Sequence, residues 1–136
     1  MSEREILPAT SESFAYKYTR LSSEGARRVR VSVLGSAAAN GYTTLGQADR
    51  IAELLRLRPG TRLLDLGAGR GWPGKRIAER TGCDVVVTDL PVLALRDARG
   101  PAAEGGGTRA VVCADGRALP FREACFDAAS HADVLC

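Results

Sequence analysis

The chain has a single histidine, and its four cysteines, at positions 83, 113, 125 and 136, form no CxxC pair. That set cannot complete a zinc site of the usual kind. The cysteines read instead as buried, reduced thiols of a cytosolic protein. No apolar run approaches the ~20 residues needed to span a bilayer. The first residues, Met1-Ser-Glu-Arg-Glu, lack a basic region followed by an apolar stretch, so they do not read as a secretory signal. Aromatics are few, with one Trp, three Tyr and three Phe, so a core must rest on Leu, Val, Ile and Ala. Lysine is almost missing: Lys17 and Lys75 stand beside 17 arginines, a skew that reads as coding bias. A strong charge of one sign is lacking too. The net charge is +3, and its excess lies in the N-terminal arm, mainly at Arg27, Arg28 and Arg30. A nucleic-acid face needs a larger, clustered excess, so composition argues against one.

What is present suits one soluble globular domain: 136 residues, 45% apolar and 26% charged, enough to bury a core. Residues 1–12 are polar, carry Pro8 and read as a frayed arm. In residues 13–34, Phe14, Tyr18 and Leu21 share a helical spacing while Val29, Val31 and Val33 alternate as in a strand, so the pattern there is ambiguous. Residues 35–41 read as a loop. A helix follows, capped by Thr43 or Thr44, with Leu45, Ala48, Ile51, Ala52 and Leu55 on one face, and Pro59-Gly60 stops it. Residues 62–67 read as a buried strand. Pro73 suits the first turn of the next helix, where its missing N–H would be unpaired anyway, and Gly82 closes that helix. Residues 83–89 give the strongest strand signal, with Val85-Val86-Val87 suggesting burial on both faces. Pro91 opens another helix. Residues 109–113 form a third strand, and a fourth begins at Cys125. This alternation predicts an α/β, doubly wound parallel sheet with right-handed crossovers and strand order three-two-one-four.

Three features carry chemistry. Asp65-Leu-Gly67-Ala-Gly69-Arg-Gly71 is a glycine-rich turn between strand and helix, at the carboxyl end of a parallel strand where open sheets bind ligands. Asp89 ends the second strand, about 20 residues beyond the glycines, where a carboxylate can accept both hydroxyls of a ribose. Asp115-Gly116 leaves the third strand, ahead of Leu119-Pro120-Phe121, which forms either a wall beside a ligand or a turn under the sheet. Gly69-Arg-Gly71-Trp-Pro-Gly74 also satisfies the dinucleotide pattern GxGxxG. That reading is weaker, because Gly67 already follows the strand and Pro73 withdraws an N–H where a pyrophosphate wants donors.

The segments LLDLGAGRG at 63–71, VVVTDLP at 85–91, ADGRALPF at 114–121 and FDAASHADVLC at 126–136 resemble, in order and spacing, class I S-adenosylmethionine-dependent methyltransferases. The ALPF–FD pairing looks most like the branch acting on quinones, sterols and other small molecules. The resemblance covers residues ~44–136. It implies a Rossmann-like S-adenosylmethionine domain at 44–136, preceded by a helical arm or cap at 1–43. It implies that Gly67, Gly69 and Gly71 meet the methionine part of the cofactor, and that Asp65 orients the loop or holds the ammonium. Asp89 would bind the ribose hydroxyls, Leu90 would also belong to the cofactor site, and Asp115 with the Gly116 backbone would contact the adenine. His131 or Asp133 would face the sulfonium and the acceptor as catalytic candidates, with Tyr42 and Thr43 covering the cofactor. Methyl transfer to a small-molecule acceptor follows, with a non-catalytic cofactor-binding module or truncated remnant as the alternative. The expected setting is cytoplasmic, with no metal and no membrane. Family members continue with further strands past the fourth, so the chain reads as the N-terminal half of the fold, its fourth strand exposed to self-association. The acceptor and its reacting atom are not encoded in these motifs.

Overall fold

The computed structural model describes residue 16, residues 23–99 and residues 107–134. Phe14, Tyr18 and Leu21, the Gly100-Pro101 turn and Cys136 lie outside the described residues. The elements are α1 (Glu24–Leu34), α2 (Leu45–Leu55), β1 (Arg62–Leu66), α3 (Gly74–Thr81), β2 (Asp84–Asp89), α4 (Val92–Ala98), β3 (Gly107–Cys113) and β4 (Ala128–His131). They form a Rossmann-like α/β fold. Its four strands lie in the order β3-β2-β1-β4, and all three pairings are parallel.

Local chemistry accounts for the boundaries. Ser23 caps α1 by accepting the Ala26 N–H at 3.2 Å, and Gly35 ends it in the left-handed region at φ 79°. Thr44 and Gln47 close a reciprocal capping box on α2: the Thr44 N–H donates to Gln47 Oε1 at 2.8 Å and the Gln47 N–H to Thr44 Oγ1 at 3.2 Å. Such a cap contributes about 1 kcal/mol. Pro73 precedes α3 and left-handed Gly82 follows it.

The core is built on one face of the sheet. Leu63, Val85 and Val87 are fully buried there, and Ala52, Ile77, Ala78, Leu95 and Ala98 of three helices pack on them. Arg76 of α3 grips Asp49 of α2 with two bonds, Nε to Oδ1 at 2.6 Å and Nη2 to Oδ2 at 3.0 Å. That guanidinium fork holds the Asp49 carboxyl below its usual range and fixes α2 against α3.

Four expectations need correction. Val29, Val31 and Val33 alternate along a helix, not a strand, and all three are exposed; the residue α1 buries is Arg30, whose Nε donates to the Ala37 carbonyl at 3.1 Å. Val86 is only half-buried, because the helical core covers the Val85 and Val87 face. β4 begins at Ala128 rather than Cys125, since Asp127 turns back on β1: its carboxylate accepts the Arg62 N–H at 2.7 Å. Of the described cysteines only Cys83 is buried, and Cys113 is exposed.

Candidate functional site

β1 delivers Asp65 to the base of the glycine turn. Asp65 is fully buried. Its Oδ2 accepts the Gly74 N–H at 2.7 Å and its Oδ1 accepts the Ser130 hydroxyl at 2.9 Å. One side chain thus ties β1 to the start of α3 and to β4. A Cβ on Gly74 would run into that carboxylate, so the helix begins on glycine. Burial pushes the Asp65 carboxyl up to about 7, against the two hydrogen bonds and with help from the Asp89 charge. Both oxygens are engaged inside the protein, which places Asp65 beneath the turn as its anchor.

The turn needs its glycines. Gly67, Gly69 and Gly71 all have positive φ, at 63°, 56° and 95°, a region costly for residues with a Cβ. Val134 lies where a Gly67 side chain would project. The Ala68 carbonyl closes the turn by accepting the Gly71 and Trp72 N–H groups at 2.9 and 3.1 Å.

Asp89, at the end of β2, clamps the turn from the side. Its Oδ2 accepts the Gly69 N–H and its Oδ1 the Leu90 N–H, both at 2.7 Å. Burial raises its pKa and the two backbone donors oppose the rise. Asp115 follows β3, where Arg117 binds its carboxylate at 2.8 Å and holds its pKa down. Gly116 beside it faces open space. Phe121 packs edge-on against Phe126, ring centroids 5.1 Å apart. The glycine turn, Asp89, Leu90, Asp115 and Gly116 therefore stand at the carboxyl ends of three adjacent parallel strands.

A strap of residues 36–43 joins α1 to α2 and is fastened at three points. Asn40 Nδ2 donates to the Ala68 carbonyl at 3.3 Å, and Trp72 Nε1 to the Thr43 carbonyl at 2.9 Å. Asp133 Oδ2 accepts from the Tyr42 N–H at 2.7 Å and from the Thr43 N–H and hydroxyl, each at 3.2 Å. Tyr42, Thr43, His131 and Asp133 are thereby brought together around a pocket of about 430 Å³ that Gln47, Arg50 and Ile51 of α2 also line. Asp133 works there as a latch on the strap. His131 ends β4 beside Leu66 and is exposed.

Sequence reading missed Asn40, Gln47 and Arg50. Asn40 Oδ1 is buried without a hydrogen-bond partner. Its signal was slight: a lone amide side chain after three alanines. Gln47 and Arg50 were legible only as the outer face of an amphipathic helix. Among the described residues no group of acidic, histidine or cysteine side chains could hold a metal, and no helix is long and apolar enough to cross a membrane.

A parallel Rossmann-like sheet with a glycine turn after β1 and an acid ending β2 defines a class of nucleoside-cofactor domains. A family model described as "Methyltransferase domain" matches residues 63–136, and the chain belongs to that family. The chain is 36% identical over 90 residues to 24-methylenesterol C-methyltransferase 2 of Oryza sativa subsp. japonica, covering 65% of this chain and 25% of that protein. It is 37% identical over 83 residues to 27-O-demethylrifamycin SV methyltransferase of Amycolatopsis mediterranei (strain S699), covering 58% of this chain and 30% of that one. The chain thus spans between a quarter and a third of the length of these relatives. The crystal structure of the [4+2]-cyclase SpnF superposes with a TM-score of 0.57 at 23% identity, covering 88% of this chain and 47% of the other, a likeness of fold.

Proposed function

We propose that this domain binds S-adenosylmethionine and serves methyl transfer to a small-molecule acceptor. The observation that carries the reading is the turn of three positive-φ glycines held by Asp89 at the carboxyl ends of β1 and β2. The residues present fit that cofactor. Asn40 Oδ1, a buried acceptor lacking a donor at the glycine turn, suits an ammonium group. Asp89 suits ribose hydroxyls, with Leu90 beside it. The open space at Gly116 and the neighbouring Asp115 suit an adenine. Pro73, at the N-terminal end of α3, offers no N–H to a phosphate, and this cofactor carries none; that favours it over a dinucleotide.

When bound, the cofactor supplies an electrophilic methyl group on a sulfonium, and the protein's task is placement. Gly67, Gly69 and Gly71 let the backbone approach closely, while Asp65 keeps the turn in shape from below. The strap, latched by Asp133, closes the side nearest the pocket. His131, at the pocket wall, is the group placed to take a proton from an acceptor that must lose one. In this reading the chain divides into an N-terminal arm or cap at 1–43 and a cofactor domain at 44–136. The setting is cytoplasmic, and nucleic acid is not the partner. β3 and β4 are the edge strands among the described residues, and self-association through β4 is part of this proposal.

Calorimetric titration with S-adenosylhomocysteine and with NAD tests the reading. S-adenosylhomocysteine should bind and NAD should not. Binding of NAD alone would overturn it.

A further inference from the structure

The pocket between strap, α2 and β4 has a one-sided hydrogen-bonding inventory. Its oxygens are largely used within the protein. Gln47 Oε1 accepts the Thr44 N–H of the capping box. The Thr43 carbonyl accepts the Trp72 indole, and the Thr43 hydroxyl donates to Asp133 Oδ2, which already accepts two backbone N–H groups. What is left to face a ligand includes two groups that can only donate, the Gln47 amide N–H groups and the Arg50 guanidinium, beside the Tyr42 hydroxyl and the His131 ring, which donate or accept. Arg50 gives one nitrogen to Glu53 at 2.9 Å, an exposed pair three residues along the same helix, and keeps the rest of its fork. Gln47 and Arg50, three apart on α2, share one face. Ile51 and Ala132 are the apolar lining.

We infer that this pocket receives the methyl acceptor, and that the acceptor is an oxygen-bearing small molecule whose carboxylate or carbonyl oxygen is held by Arg50 and Gln47. The inference rests on the methyltransferase reading above. A volume of about 430 Å³ is that of a small-ligand site. The pocket lies at the carboxyl end of β4, next to β1 and its glycine turn. A pure hydrocarbon there would gain nothing from these donors, since Arg50 stays 66% exposed and keeps its water. An oxygen acceptor pairs them, and a carboxylate also meets the Arg50 charge.

His131 is the only histidine of the chain, so its ring resonances report on this pocket alone. The full chain is titrated with benzoate, methyl benzoate and toluene while these resonances are followed, and S-adenosylhomocysteine affinity is measured separately by calorimetry. Benzoate and methyl benzoate should shift the His131 signals, and toluene should not. Arg50→Gln should weaken benzoate about tenfold and leave methyl benzoate within about twofold, since only the charge-assisted bond is lost. Arg50 is on the surface, so the variant keeps its fold. If S-adenosylhomocysteine does not bind but benzoate still shifts His131, the cofactor reading fails and the acceptor assignment falls with it, leaving a pocket for oxygenated ligands. The substrate class fails alone if S-adenosylhomocysteine binds while toluene shifts His131 as strongly as benzoate. It fails equally if neither oxygenated probe shifts it, or if Arg50→Gln leaves benzoate affinity unchanged.

Discussion

The Asp133 carboxylate accepts the Tyr42 N–H at 2.7 Å across 91 residues of sequence. With the two Thr43 donors on the same oxygen, the end of β4 holds the strap over the glycine turn. Gly41 is packed so closely on Asp133 that a Cβ would collide with it. Asp133→Ala should release the strap while leaving the buried core intact. Trp72 is the single tryptophan, and its indole N–H bonds the strap at Thr43, so its resonance and fluorescence report the release directly. Each lost charge-assisted bond is worth about 1.5–3 kcal/mol before water compensates. An unchanged indole signal in Asp133→Ala would show that the latch is not Asp133.

Asp65 makes a pH prediction. Its carboxyl rises from an ordinary 3.8 to about 7 in the folded state. Between about pH 4 and 7 the folded protein therefore holds a proton that the unfolded chain has released. Stability should fall as pH rises through that window and level off above it, by at most about 4 kcal/mol. Asp65→Asn keeps an oxygen for the Gly74 N–H and can donate to Ser130, but it cannot ionise. Urea unfolding across the window should show a flatter profile for the variant. Parallel profiles for the two proteins would refute the assignment.

Asp89 has two backbone partners, Gly69 in the turn and its own neighbour Leu90, and on the proposed reading a third in the ribose. Asp89→Ala should lower affinity for S-adenosylhomocysteine by at least about tenfold. Circular dichroism should stay close to the unsubstituted protein, because Asp89 lies at a strand end outside the core cluster. Calorimetry showing equal affinity would remove Asp89 from the site.

Asn40 separates the two ends of the cofactor. Asn40→Ala should weaken S-adenosylhomocysteine about tenfold, and leave 5′-methylthioadenosine, which has no ammonium, within about twofold. Equal losses for both ligands would mean that Asn40 acts only through its tether to Ala68.

Much of the sheet was legible because short apolar runs, Leu63-Leu64 and Val85-Val86-Val87, are bounded by Gly, Pro and Asp. The glycine turn and Asp89 could be read from spacing alone. α1 could not, because valines at every second position fit an exposed helix as well as a strand, and its buried Arg30 reads as solvated. The start of β4 was misplaced because Asp127 spends its carboxylate on the Arg62 backbone, a contact with no periodic trace. The fastening of the strap was invisible for the same reason: Asn40 to Ala68, Trp72 to Thr43 and Asp133 to Tyr42 join residues 28, 29 and 91 apart.

On the proposed reading the carboxyl ends of β1, β2 and β3 form one cofactor site, which backbone amide shifts on titration with S-adenosylhomocysteine would map. Saturable shifts should appear at Gly67, Gly69, Gly71, Leu90 and Gly116, with the Trp72 indole following as the strap responds. The amides at the C-terminal end of α4, away from Leu90, should stay still. No saturable shifts, or shifts that avoid the glycine turn and Leu90, would contradict it.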